Sequence, residues 1–211
     1  MGRCRTVLDA VARVIEEHAT QLSALDAAGG DGDHGMSMAL GARGAVEATA
    51  SFEGDDIGAF LDVVGKSLIS GVGAAMGPLY GTALIRAGTI AAGKTSLDGP
   101  TVAAMLGACC DGIVQRGKTK PGEKTMLDAF APAAEAARAA AADGADGLAT
   151  LRAASTAATS GAENTRDMIA TRGRAAKLGE RTRGFQDAGA TSSALVIEAV
   201  LSALESEGVA R

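Results

Sequence analysis

Tryptophan is absent, and the chain contains one tyrosine and four phenylalanines. Its core must therefore be built from Ala, Leu, Val, Ile and Met, and small side chains suit helices whose backbones approach closely. Cys4, Cys109 and Cys110 are odd in number, two are adjacent, and none forms a Cys-x-x-Cys pair. Neither a disulfide framework nor a zinc site is indicated. Lysine and arginine are scattered singly through a chain of net charge −5, which gives no footprint for nucleic acid. With no signal-peptide pattern and no apolar run of bilayer-spanning length, a cytoplasmic protein without a membrane partner is expected. Convincing β alternation, sequence repeats and low-complexity linkers are also missing, apart from the Ala-rich run 139–142.

What remains is helical periodicity, in a chain whose 211 residues and 47% hydrophobic content suit one domain over 1–211. Val7, Val11, Val14, Ile15, Leu22 and Leu25 trace one face of a first helix. Similar patterns run through 36–50, 57–71, 78–92, 100–116, 125–142, 146–171 and 190–206, an all-α chain of about eight amphipathic helices. Pro78 and Pro100 fall where a first helical turn tolerates proline, whereas Pro132 is expected to kink the sixth helix. Short connections favour antiparallel, up-and-down neighbours. The loops after helices 1, 3, 5 and 7 (26–35, 71–78, 117–124 and 172–189) then share one end of the molecule. They carry most of the glycine punctuation and the unusual polar combinations, while 51–56, 93–99 and 143–146 are plainer. A site is expected at the first end.

The richest of these loops reads Asp-Ala-Ala-Gly-Gly-Asp-Gly-Asp-His-Gly-Met-Ser-Met over 26–38. Asp26, Asp31 and Asp33 would repel one another without a cation, and the glycines let several oxygens face one point. Hard oxygen donors without thiolates suit Mg²⁺ or Ca²⁺. An anion on such a metal could meet the N–H groups of the next helix. The competing reading is a solvated acidic turn. A calcium EF-hand fails on spacing: counted from Asp31, Gly35 falls on a ligand position, Met36 on the obligatory glycine and Ala42 on the closing glutamate.

Gly88–Thr95 and Gly112–Thr119 both match the Walker A pattern. Neither follows a strand-like run, and Pro100 and Pro121 come too soon for the required helix. Elsewhere, Gly71, Gly73 and Gly77 offer backbone N–H groups to a phosphate, and Arg172 and Arg174 offer cations. Solvated arginines at a helix end are the alternative. Asp187 could equally cap the last helix, Met126 fits the core, and His18 fits a helix surface. His34 reads either as a loop residue or as a phosphate donor.

Four blocks in order, GDGDHG (30–35), GVGAAMGPLYGT (71–82), RGKTKPGEKTMLD (116–128) and TRGRAAKLGERTRGFQDAGATS (171–192), resemble the nucleotide-binding (L) subunit of dihydroxyacetone kinase. The resemblance implies an up-and-down barrel of eight antiparallel amphipathic helices with the nucleotide at one end. It implies that Asp26, Asp31 and Asp33 bind two Mg²⁺ ions holding the phosphates of ADP or ATP. His34, Gly35, Met36, Ser37, Ala75 and Met76 would lie along those phosphates. Gly117 and Met126 would lie near the adenine, and Arg174, Asp187, Ala188 and Gly189 across the nucleotide. The ketose, dihydroxyacetone or a relative such as erythrulose, would be held by a separate K subunit. In one version of the family a phosphoenolpyruvate-dependent phosphocarrier recharges bound ADP.

Three positions depart from that pattern: Met76 replaces a usual serine, and Phe185 and Ala188 replace a usual histidine and proline. Two other functions remain open on sequence. One is a non-catalytic nucleotide-sensing subunit that binds a transcriptional regulator. The other is a purely structural helix bundle, against which the intact aspartate triad argues.

Overall fold

The computed structural model describes residues 2–73 and 76–209. Among these the chain forms eight α-helices and no strand: α1 (Arg3–Ala27), α2 (His34–Ala48), α3 (Ile57–Gly71), α4 (Met76–Ile90), α5 (Gly99–Gly117), α6 (Leu127–Ala142), α7 (Gly147–Asn164) and α8 (Ala188–Val209). Two short 3₁₀ segments, Thr165–Asp167 and Ala175–Thr182, lie between α7 and α8. Each helix packs against its neighbours in sequence, and α8 packs on α1 as well as on α7, so the up-and-down ring closes as a barrel.

Small residues set the spacing of the ring. On the facing sides of α3 and α4, a Cβ at Gly65 would lie 2.8 Å from the carbonyl oxygen of Gly81, and one at Gly81 would lie 2.6 Å from that of Gly65. Any side chain there would push the two backbones apart. Ile15, Leu22, Ile113 and Leu127 are almost fully buried, each worth about 1.5–3 kcal/mol of transfer free energy. The interior is nevertheless not filled. A largely apolar lumen of about 510 Å³, lined by residues from all eight helices, runs inside the ring. Alanine-rich walls with so few aromatics cannot close the centre of eight helices.

The two ends of the barrel differ in how their helices start. At one end Asp56, Asp98 and Asp146 cap α3, α5 and α7, accepting from Ala59 (3.0 Å), Thr101 (2.8 Å) and Ala149 (2.8 Å). Asp56 also accepts from the backbone of Gly93, tying two loops of that end together. The connections after α1, α5 and α7 and the start of α4 gather at the opposite end, around a second cavity.

Some expected boundaries move. Helix α4 begins at Met76, so Gly77 and Pro78 lie in its first turn. Helix α6 runs on through Pro132, whose ring faces Gly161 of α7; a Cβ at Gly161 would lie 2.8 Å from it. The seventh helix ends at Asn164 and not at 171. Met168, Ile169 and Ala170 continue the apolar pattern, but tertiary partners take their backbone: Ala170 N–H donates to Thr182 Oγ1 (2.9 Å) and Thr171 N–H to the Glu123 carbonyl (3.3 Å). The stretch Ala188–Ser206 of α8, contrary to the sequence expectation, is long and apolar enough to cross a membrane. Half of it is buried, where α8 packs between α1 and α7, the pattern of a core helix.

Both Walker-like stretches lie at helix C-termini: Gly88 is in the last turn of α4, and Gly112–Gly117 closes α5. The helix dipole there repels phosphate, which confirms that neither is a P-loop.

Candidate functional site

The second cavity, about 310 Å³, is lined by Asp26, Asp31, Asp33, His34 and Ser37 from the α1–α2 junction and by Met76 and Tyr80 from α4. Lys124–Met126 from the α5–α6 loop and Arg172–Ala175 and Phe185–Gly189 from the approach to α8 complete it. The end of the barrel expected from loop parity is therefore the end where these residues meet.

One carboxylate oxygen from each of Asp26, Asp31 and Asp33 lies within 4.8 Å of the others, with Asp26 half-buried and the other two exposed. The chain turns tightly to achieve this. Gly30 N–H donates to the Asp26 carbonyl, Gly32 takes the left-handed region at φ 77, and α2 starts immediately after Asp33. Asp33 occupies the N-cap of α2 but makes no side-chain capping bond, unlike Asp56, Asp98 and Asp146. Its oxygens are not spent on the helix. An all-oxygen set of three clustered carboxylates fits a hard divalent cation such as Mg²⁺.

Asp26 is oriented by the backbone of His34, whose N–H donates to Oδ2 at 3.3 Å. The His34 ring lies 2.9 Å from Ser192 Oγ, which in turn lies 2.8 Å from the Tyr80 hydroxyl; that hydroxyl is also 2.9 Å from Ser193 Oγ. This buried run of polar atoms joins α2, α4 and α8 behind the carboxylates. Burial lowers the His34 pKa, against the pull of Asp26, and raises that of Tyr80 to about 12. Both groups are thereby held neutral as hydrogen-bonding struts.

Arg174 is paired with Asp31 across the mouth of the cavity, and Arg172 donates to Glu123 Oε2 at 3.1 Å. Asp187 accepts from Ala190 N–H at 2.8 Å, so the capping role is real, yet it also lines the cavity. Burial raises its pKa to about 7, helped by Asp128 and Asp26 and opposed by that hydrogen bond and by Lys124.

Not every residue anticipated for the nucleotide lines this space. Gly35 is buried at the α1–α2 crossing, where a Cβ would collide with the Ala19 carbonyl, so close packing accounts for the glycine. Met36 is exposed, and Gly117 ends α5 against Leu79, itself a lining residue. Of the anticipated phosphate loop, Ala75 lies outside the described residues. Gly77 is packed against the carbonyls of Leu68 and Val72.

Tyr80, Ser192, Ser193, Glu123 and Lys124 join the site without having stood out in the sequence. The only tyrosine of the chain and a Ser-Ser pair in an apolar helix were available signals, because buried hydroxyls need partners. Lys124 had no local signal, since its partners lie 44–61 residues away, and Glu123 accepts locally from Thr119 and Lys120 but also from Arg172, 49 residues away.

An all-α ring with a carboxylate cluster facing a cavity at one end defines a closed helical barrel with a candidate cation site, and its relatives name its family. Residues 28–202 match the DAK2 domain, and the chain belongs to that family, that of the ADP-binding DhaL subunits of dihydroxyacetone kinase. It is 39% identical over 171 residues to the PEP-dependent dihydroxyacetone kinase ADP-binding subunit DhaL of Escherichia coli, covering 81% of each chain. It is 37% identical to the D-erythrulose kinase of Mycolicibacterium smegmatis, with 91% of this chain matching 33% of that enzyme. Among solved structures, dihydroxyacetone kinase from C. freundii in complex with AMP-PNP and Mg²⁺ superposes with a TM-score of 0.71 at 25% identity. That match covers 94% of this chain and 33% of that one, so the chain spans about a third of those two longer kinases.

Proposed function

We propose that this chain holds Mg²⁺-bound adenine nucleotide in the 310 Å³ cavity and donates its terminal phosphoryl group to a short ketose carried by a separate K-type subunit. The observation that carries this reading is the cluster of Asp26, Asp31 and Asp33 at the mouth of a cavity that Arg174 also faces. Two Mg²⁺ ions on the three carboxylates would neutralise the phosphate oxygens, which is the chemistry the metal supplies. Asp26, steadied by His34 N–H, and Asp33, with no capping duty, orient toward that centre, and Ser37 lies alongside. Arg174 would supply positive charge against the negative charge on the oxygens of the transferring group. Met126, Ala188 and Gly189, which also line the cavity, would lie beside the nucleotide. Gly35, Met36, Gly117 and Ala75 belong to the proposal by family pattern only.

The E. coli relative is named an ADP-binding, PEP-dependent subunit, and this supports a resident nucleotide recharged in place by a phosphocarrier. The erythrulose kinase among the relatives makes erythrulose an acceptor to test beside dihydroxyacetone. Reconstitution decides the matter. The chain with a K subunit, a phosphocarrier mixture and phosphoenolpyruvate should phosphorylate ketose while labelled ADP stays bound through many turnovers. Turnover by the chain alone would show a ketose site that this reading does not contain.

A further inference from the structure

Lys124 is nearly inaccessible, 3% exposed, in a chain whose other lysines lie at or near the surface. Its backbone is in the left-handed region at φ 60, uncommon for a residue with a side chain. From there the ammonium donates to the carbonyls of Thr182 (2.5 Å), Phe185 (2.6 Å) and Met168 (3.4 Å), which account for its three N–H groups. It also sits 4.6 Å from the centre of the Phe185 ring. The preceding residue holds the other side of the same segment: the Glu123 carbonyl accepts from Thr171 N–H, and its carboxylate accepts from Arg172. Two adjacent residues of the α5–α6 loop thus grip both the outgoing and the returning arm of residues 168–187. Arg174 lies between those arms, over Asp31.

We propose that Lys124 is a positioning residue: its buried ammonium clamps the 168–187 segment as a lid, and so sets Arg174 over the aspartate cluster. No other described side chain bonds three carbonyls at once across this segment. Without the cation those oxygens lose a shared donor, and the arms are free to separate. The role of Arg174 in transfer rests on the proposed function; the clamp itself does not.

Hydrogen exchange tests the clamp directly. In Lys124→Met, amides of 169–185 should exchange about tenfold faster or more, while α1 to α6 keep their protection. Unchanged lid exchange in folded Lys124→Met, or acceleration spread evenly over the molecule, overturns the proposal. If that variant does not fold, Phe185→Leu removes only the ring face and should loosen the same amides about threefold; no change there is equally decisive. The second readout is a double-mutant cycle on phosphoryl transfer in the reconstituted system. Lys124→Met should slow transfer about tenfold in the natural background but less than about twofold beside Arg174→Ala, because it acts through Arg174. Additive losses contradict positioning. If the natural chain transfers nothing, the proposed function fails, and lid exchange alone decides the clamp.

Discussion

Arg174 pairs with Asp31 across the mouth of the cavity, a guanidinium lying against one of three clustered carboxylates. In the metal-free chain this arrangement relieves part of the repulsion within the cluster. A cation bound at Asp31 would compete with the guanidinium for that carboxylate and would leave Arg174 available to a phosphate. Arg174→Ala is therefore expected to leave Mg²⁺ or Mn²⁺ binding undiminished, while slowing phosphoryl transfer in the reconstituted system by about 10²–10³-fold. Mn²⁺ titration followed by electron paramagnetic resonance, beside a coupled kinase assay, separates the two effects. Weaker metal binding in the variant would show that Arg174 supports the cluster in some other way.

The aspartates that begin helices provide an internal control. Asp98 and Asp146 cap α5 and α7 with their side chains, and Asp33 stands at the N-cap of α2 without such a bond. Replacing Asp146 by alanine should cost about 1 kcal/mol of stability, and Asp98→Ala should lower the urea midpoint in the same direction. Asp33→Ala should cost less than about 0.5 kcal/mol in chelator, yet remove most metal-dependent nucleotide binding. Urea unfolding in EDTA and calorimetry with Mg²⁺ give both quantities. A destabilised Asp33→Ala that still binds nucleotide would make the loop scaffolding.

The same contrast shows what was legible beforehand. The eight helices, the common end of the odd-numbered loops and the Asp26–Asp31–Asp33 grouping follow from periodicity, short connections and carboxylate chemistry, all local in sequence. The end of α7 was misread because Met168-Ile169-Ala170 looks helical until Thr182 and Glu123, far along the chain, claim its backbone. Lys124 was unreadable for the same reason, since its value lies in three carbonyls supplied by a distant segment. The lumen was unforeseen too: each helix has an ordinary apolar face, and only closing eight of them shows that Ala and Val cannot fill the centre.

Asp187 ties stability to pH. The carboxyl is held at about 7 by burial among Asp128 and Asp26, against the Ala190 N–H and Lys124, while the unfolded chain titrates near 3.8. Between those values the folded protein keeps a proton that the unfolded chain has released. The contribution of Asp187 to stability in chelator should therefore fall as pH rises from about 4 to about 7 and level off above that, while His34, whose pKa burial lowers from 6.5, contributes in the opposite sense as pH rises toward its ordinary value. Asp98 and Glu123, whose pKa values are lowered, act only at the acid edge, where protonating them removes stability. Asp187→Asn should remove this downward component from the urea midpoint and leave the opposing His34 contribution. A difference between parent and variant midpoints that does not fall between pH 4 and 7 would assign the titration elsewhere.

The central claim is that the carboxylate cluster reaches nucleotide through a divalent cation. Calorimetric titration of ADP into the purified chain, with Mg²⁺ and again with EDTA, tests it most directly. Saturable one-to-one binding with Mg²⁺, and affinity at least about 100-fold weaker without it, is the predicted result. Equal affinity in the two conditions would contradict a metal-bridged site at Asp26, Asp31 and Asp33.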